Sequence, residues 1–171
     1  NDPVAIICMA CRFPGDANTP EQFWELLASG TDPITRVGDN RWPGVDQVKG
    51  LATREGGFIT HPEMFDPHFF GISPAETESL DPQQRLLLEV THEAFENAGF
   101  SVPSLRGSET GVYVGISITD YLAVGKAEGH PTGAYSYTGT MFNTAAGRIA
   151  WAFDLKGPCV AIDTACSSSL T

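Results

Sequence analysis

Val160-Ala161-Ile162-Asp163-Thr164-Ala165-Cys166-Ser167-Ser168-Ser169-Leu170 is the stretch from which the rest of the chain is best read. Its apolar opening reads as a short buried strand. The small residues that follow read as a tight turn, with the Cys166 thiol placed where a helix would begin. The thiolate is the reactive form of cysteine, and a helix N-terminus stabilises it through unpaired N–H groups and the macrodipole. Such a thiol is a candidate nucleophile. Taken alone, the same residue reads more simply as a structural cysteine in a serine-rich loop.

Other blocks bear on that choice. Pro3-Val4-Ala5-Ile6-Ile7 precedes Met9-Ala10-Cys11-Arg12-Phe13-Pro14-Gly15, and Phe65-Asp66-Pro67 precedes Phe69-Phe70-Gly71-Ile72-Ser73-Pro74. Leu80-Asp81-Pro82-Gln83-Gln84-Arg85-Leu86-Leu87-Leu88-Glu89 is the most distinctive block before the cysteine. Leu105-Arg106-Gly107-Ser108, Gly111-Val112-Tyr113-Val114-Gly115 and Gly157-Pro158 follow. In this order, and together with residues 163–170, they resemble the β-ketoacyl synthases of polyketide and type I fatty acid synthases. Cys8 departs from the pattern, standing where that family usually carries glycine.

The chain has 171 residues, 42% hydrophobic and 18% charged, which suits one globular domain or part of one. Its net charge is -11, with 21 acidic and 10 basic residues. That balance argues against nucleic acid or an anionic membrane as partner, since both require basic surface. It leaves room for an acidic carrier protein, which needs only a local basic patch. No run approaches the ~20 apolar residues of a membrane-spanning helix, and no secretory signal is visible. The chain starts without Met, so it is expected to be an excised or incomplete segment.

The cysteines do not favour zinc or disulfides. Cys8 and Cys11 have C-x-x-C spacing, but the apolar run around Cys8 suggests a strand, on which residues three apart face opposite sides. A structural zinc needs four ligands, and no second C-x-x-C or paired His is present. Cys159 reads as a small packing residue. Reduced cysteines without a signal point to the cytosol. No G-x-G-x-x-G follows a strand, so a dinucleotide site has no support.

Strands are expected at residues 4–8, 111–116 and 160–163, short and apolar enough to be covered on both faces. Thr19-Pro20-Glu21-Gln22, Ser73-Pro74-Ala75-Glu76 and Asp81-Pro82-Gln83-Gln84 each open a helix with a capping residue, proline and Glu or Gln. The first helix is expected to bury Phe23, Leu26 and Leu27 and to end at Gly30. The third continues through Leu87, Val90, Ala94 and Ala98 to a stop at Gly99, with Glu89, Glu93 and Glu96 on a solvated face. Residues 31–57 read as a long loop holding Arg41-Trp42-Pro43. A further helix is expected over residues 143–153. Period and composition give a mixed α/β layered fold. The resemblance implies the thiolase-like fold, with residues 1–171 forming the incomplete N-terminal region of a β-ketoacyl synthase domain.

The family carries out a decarboxylative Claisen condensation on chains delivered by the phosphopantetheine arm of an acyl carrier protein, with no cofactor bound directly. By resemblance Cys166 is the acyl-accepting nucleophile, and its backbone N–H is one donor of the oxyanion hole. Met141 falls where the family places side chains near the acyl pocket and the dimer contact, though an ordinary core Met fits as well. The two catalytic histidines and the lysine of the family lie beyond the cysteine motif. His61, His68, His92 and His130 match none of them and read as structural or surface residues. The segment alone is therefore expected to be inactive, the full enzyme to be homodimeric, and carrier protein and neighbouring synthase domains to be its partners. The opening block and Asp81-Pro82-Gln83-Gln84-Arg85 lean toward polyketide synthases over a type I fatty acid synthase. A cysteine hydrolase lacks its His base, and a non-catalytic dimerisation module is the alternative from another class.

Overall fold

Thr19-Pro20-Glu21-Gln22 forms the helix start that its residue types dictate. In the computed structural model, which describes residues 3–127, 129 and 133–170, α1 spans Pro20–Ser29 with Thr19 as N-cap. The Gln22 amide donates to Thr19 Oγ1 at 3.2 Å, and the Thr19 amide donates to Gln22 Oε1 at 3.1 Å. Both halves of the capping box are therefore made. Gly30 closes the helix at φ 66°, a left-handed backbone that costs glycine nothing. Phe23 stacks on Phe13 with ring centroids 4.2 Å apart, but Leu27 is 55% exposed rather than buried.

The chain divides into two compact units, one running to Pro62 and the other starting at Glu63. In the first, β1 (Ile34–Arg36) pairs antiparallel with β2 (Glu55–Gly57), Thr35 opposite Gly56. Residues 31–57 thus hold two paired strands and a 3-10 turn at Val45–Gln47 rather than a plain loop. Ile-Thr-Arg and Glu-Gly-Gly carry no apolar alternation, so periodicity could not reveal them. Polar contacts tie this stretch together: Arg54 donates to the Val45 and Val48 carbonyls at 3.2 and 2.7 Å, and Arg36 pairs with Asp46. Residues 4–8, expected as a strand, form no ladder among the described residues, and Val4 and Ile6 are almost fully exposed.

The second unit contains α2 (Pro74–Ser79), α3 (Pro82–Asn97), α4 (Val102–Leu105), β3 (Val112–Gly115), α5 (Tyr121–Ala127), α6 (Ala134–Thr138), α7 (Phe142–Ala152) and β4 (Cys159–Ile162). β3 and β4 pair in parallel, Val112 opposite Cys159 and Gly115 opposite Ile162. Parallel neighbours need a crossover, and the helical stretch between them supplies it. Along α7, Ala145, Ala146 and Ile149 face the core, where Phe153, Leu88, Val112 and Val114 meet them. Only one face of the strand pair is covered among the described residues: Val112 and Val114 are buried while Tyr113 is 64% exposed. α7 covers that face.

Of the three expected capping boxes, the first alone is complete. Ser73 Oγ accepts from the Glu76 amide at 3.2 Å, but the Glu76 carboxylate is committed to Arg148. Asp81 Oδ1 accepts from the Gln83 amide at 2.8 Å, leaving the Gln84 side chain for the interior. α3 ends as read, with Gly99 in the left-handed region at φ 74°. α4, α5 and α6 are short elements that periodicity did not reveal.

Asp81 is buried, at 4% exposure. Burial pushes its carboxyl above the ordinary 3.8, outweighing the hydrogen bonds from Gln83, with the Asp120 charge pushing the same way. The folded chain therefore holds this proton more tightly than the unfolded chain. The stability it confers is complete below 3.8 and is lost as pH climbs through the raised native value. Asp81→Asn keeps an acceptor for the Gln83 amide and removes the buried charge, so at pH 7 it should melt no lower than the wild type. Asp81→Ala, which loses the cap, should cost about 0.5–2 kcal/mol. Thermal melts of the intact protein between pH 4 and 7 test both, and an Asn advantage that failed to grow with pH would contradict the assignment.

Candidate active site

β4 delivers the cysteine turn. The Ile116 amide donates to the Ile162 carbonyl at 3.1 Å, extending the ladder to the last residue of the strand. The chain then reverses within a few residues, and side-chain oxygens take up the amides that the ladder releases. Asp163 Oδ1 accepts from the Ala165 amide at 3.0 Å, and Ser168 Oγ accepts from the Thr164 amide at 2.9 Å. The Ser168 hydroxyl in turn donates to the Ala165 carbonyl at 2.6 Å. Thr164 Oγ1 and Ser167 Oγ lie 2.9 Å apart.

At the centre of this turn Ala165 has φ 56°. A left-handed backbone at a residue with a Cβ costs on the order of 1–3 kcal/mol and persists only where surrounding contacts over-determine it. Here the Asp163 carboxylate and the Ser168 hydroxyl grip both sides of the residue. Gly115 on the paired strand completes the fit. A Cβ built there would lie 3.1 Å from Ser168 C and Ser169 N and 3.2 Å from Ser168 Cβ, so a side chain would push on the turn.

Cys166, next in sequence, is exposed, and among the described residues no side chain hydrogen-bonds its thiol. The strand and tight turn are as the sequence suggests, and Ser168–Leu170 form a 3-10 turn. Local hydrogen bonding holds the turn that carries the thiol.

The structure does not join the other candidate to this turn by any hydrogen bond among the described residues. Met141 is the N-cap of α7, half-exposed, and its carbonyl accepts from Gln84 Nε2 at 3.3 Å and from Thr144 Oγ1 at 2.6 Å. Cys159, expected to pack, is exposed at the start of β4. Cys8 and Cys11 are half-buried, and Cys11 Sγ lies 3.9 Å from the Ala17 carbonyl. His92 packs edge-on against Phe69 at 4.8 Å, with Nε2 3.4 Å from Glu96 Oε1 and Nδ1 buried without a hydrogen-bond partner. His61 sits in a turn at φ 49°, and the His68 carbonyl accepts from the Gly71 amide. His130 lies outside the described residues. Glu96 is solvated as expected, whereas Glu89 and Glu93 are half-buried.

Sequence reading missed a buried polar network beside α7. Gln84 Nε2 donates to the Gly139 carbonyl at 3.0 Å and to Thr144 Oγ1 at 3.2 Å, while Oε1 accepts from Arg148 Nε at 2.9 Å. Arg148 Nη1 pairs with Glu76 at 2.6 Å. A signal for it existed: Gln84 and Leu88 lie four apart on one face of α3, so the glutamine shares the face of a core leucine.

The family model described as "Beta-ketoacyl synthase, N-terminal domain" matches residues 1–171. This chain belongs to that family. The spectinabilin polyketide synthase system protein NorC of Streptomyces orinoci is 47% identical across 99% of the chain. A phenolphthiocerol/phthiocerol polyketide synthase of Mycobacterium tuberculosis is 46% identical across 99%. The chain spans only 8% and 10% of those two relatives. Among solved structures, the ketosynthase from module 6 of the bacillaene synthase of Bacillus subtilis matches with a TM-score of 0.82 and 37% identity, over 99% of this chain and 28% of that one. The oxazolomycin ketosynthase domain OzmH KS7 of Streptomyces albus matches with a TM-score of 0.84 and 34% identity, over 99% and 31%. The α/β fold is thus the N-terminal part of the thiolase-like ketosynthase fold.

Exposure does not distinguish Cys166 from Cys159; the turn does. An acyl thioester or an electrophilic epoxide should modify Cys166 first when adducts on the intact domain are mapped by mass spectrometry. Faster labelling of Cys159 would remove the basis for singling out Cys166.

Proposed function

We propose that these residues are the acyl-accepting part of a ketosynthase domain in a modular polyketide synthase. Cys166 is the nucleophile, and its substrates arrive on the phosphopantetheine arm of an acyl carrier protein. The observation that carries this reading is an exposed thiol directly after a strained, doubly gripped residue at the end of a parallel strand. That is how a side chain is presented to a bulky electrophile on a rigid scaffold. The names of the polyketide synthase relatives favour polyketide over fatty acid assembly. All four cysteines are thiols rather than disulfides, which supports the cytosolic reading. Among the described residues no helix is long and apolar enough to cross a membrane.

In the first step the Cys166 sulfur bonds to the acyl carbonyl carbon, and the bond from that carbon to the carrier sulfur breaks. The carrier thiol departs with the proton that Cys166 gave up. The Cys166 backbone N–H faces the charge that gathers on the carbonyl oxygen, where a fixed donor is worth most. In the second step a malonyl-type group on the carrier loses carbon dioxide, and the electron pair left behind attacks the Cys166-bound carbonyl. A carbon–carbon bond forms, the carbon–sulfur bond breaks, and the thiolate is restored. The groups that drive decarboxylation are none of the histidines described above, so this chain's contribution is to hold and position the acyl chain. Carrier protein, neighbouring synthase domains and a second copy of the domain are the partners this chemistry implies.

Two variants separate the steps. In the intact domain Cys166→Ala should lower condensation by at least about a thousandfold, the order seen when a covalent nucleophile is lost. Cys166→Gln should leave decarboxylation of a carrier-bound malonyl group unchanged or raised. Carbon dioxide release and ketoacyl product are measured separately. Condensation at the wild-type rate in the Ala variant would refute the proposal.

A further inference from the structure

The mechanism uses the thiol and one amide of the cysteine turn, but the most heavily engaged side chain there is Ser168. It is 9% exposed, too buried to meet substrate. Its hydroxyl oxygen accepts from the Thr164 amide at 2.9 Å and donates to the Ala165 carbonyl at 2.6 Å, while its own amide donates to that carbonyl at 3.1 Å. One residue therefore closes the loop across Cys166 from both sides. Resting on the reading of Cys166 as nucleophile, we propose that Ser168 is the positioning residue that holds Ala165 left-handed and so fixes the Cys166 thiol and backbone amide for acyl transfer.

Three features make the assignment specific to Ser168. Ala165 has no left-handed preference of its own, unlike glycine or asparagine, so its conformation is imposed from outside. A hydroxyl can accept and donate at once, which the bridge from Thr164 N to Ala165 O requires; Ala or Cys cannot reproduce it. The strand opposite yields space for the same residue, since Gly115 is the position where any Cβ would press on Ser168. Ser167, by contrast, is exposed and turns its hydroxyl toward Thr164. Without the Ser168 hydroxyl, the bridge from the Thr164 amide to the Ala165 carbonyl is lost, and Ala165 keeps only the Asp163 carboxylate and the Ser168 amide to oppose its strain. The amide of Cys166 would then turn away from the oxygen it must face. A step whose donors act only in the transition state loses kcat without losing KM when such a donor is misplaced.

The test compares wild type, Ser168→Ala, Ser168→Thr and Gly115→Ala in the intact ketosynthase domain. Single-turnover acylation of Cys166 by an acyl-pantetheine thioester is followed over a range of thioester concentrations. Alkylation of Cys166 by iodoacetamide is followed in parallel as a readout that needs no catalysis. Ser168→Ala should slow acylation about tenfold or more at saturation, with half-saturation unchanged, and Ser168→Thr should restore most of the rate. Iodoacetamide, which develops no oxyanion, should react within about threefold of wild type. Gly115→Ala displaces the same turn without touching a hydroxyl, and should reproduce the acylation defect even if Ser168→Ala proves insoluble. Acylation at the wild-type rate in Ser168→Ala, or in Gly115→Ala where that variant alone is soluble, overturns the proposal. So does an equal loss in both reactions, which would mean a generally disordered turn. If the wild type itself takes up iodoacetamide at Cys166 but no acyl group, the nucleophile reading fails instead.

Discussion

The larger unit depends on one carboxamide. Gln84 is 2% exposed, and both ends of its side chain are committed. Its nitrogen donates to the Gly139 and Met141 carbonyls and to Thr144 Oγ1; its oxygen accepts from Arg148. Those partners span the turn between α6 and α7 and the first two turns of α7, so a single residue of α3 sets where α7 begins. Arg148 passes the constraint on to Glu76 in α2. A buried amide left without partners costs on the order of 1–3 kcal/mol. The network therefore disfavours placements of α7 that would leave these groups unpaired, which non-directional apolar packing does not discriminate.

Apolar contact then fixes what the network has placed. Ala145 and Ala146 are small, which lets α7 approach β3 closely, and Ile149 and Phe153 fill the space beyond them. β4 follows α7 after the Gly157-Pro158 turn and pairs with β3 from Val112 to Gly115. The register matters for chemistry. With Gly115 opposite Ile162, the strand ends where the opposite strand has no side chain, and the cysteine turn folds into that gap. Gln84 is thus linked to the strand that carries the thiol through α7 and the strand pair.

Much of this was legible in the residues, and the failures have physical reasons. β3 and β4 were readable because each is a run of apolar residues bounded by glycine or proline. α1 was readable because Thr19, Pro20, Gln22 and Gly30 are each suited to a single place in a helix. The first strand pair was not, since Glu55-Gly56-Gly57 has no pattern that distinguishes a strand from a loop. Residues 4–8 misled for the opposite reason: an apolar run predicts a strand, but pairing is a property of two segments. Capping was over-read at Ser73 and Asp81, where Glu76 and Gln84 had the right spacing but better partners in Arg148 and the α6–α7 turn. Cys166 was legible from its surrounding block. The side-chain hydrogen bonds by which Asp163 and Ser168 hold its turn were not, because no spacing or residue pattern announces them.

Hydrogen bonds to a strained backbone act on the geometry of the thiol. They set the direction of the Cys166 side chain and of its amide together, because both hang from the peptide that follows Ala165. A nucleophile that must also supply an oxyanion donor needs this coupling, since the carbonyl carbon and the carbonyl oxygen lie a fixed distance apart. Holding Ala165 left-handed, at about 1–3 kcal/mol, orients both groups at once. Small residues at 164–169 follow from the same requirement: each larger side chain would contest the space in which the acyl group and the turn must both fit.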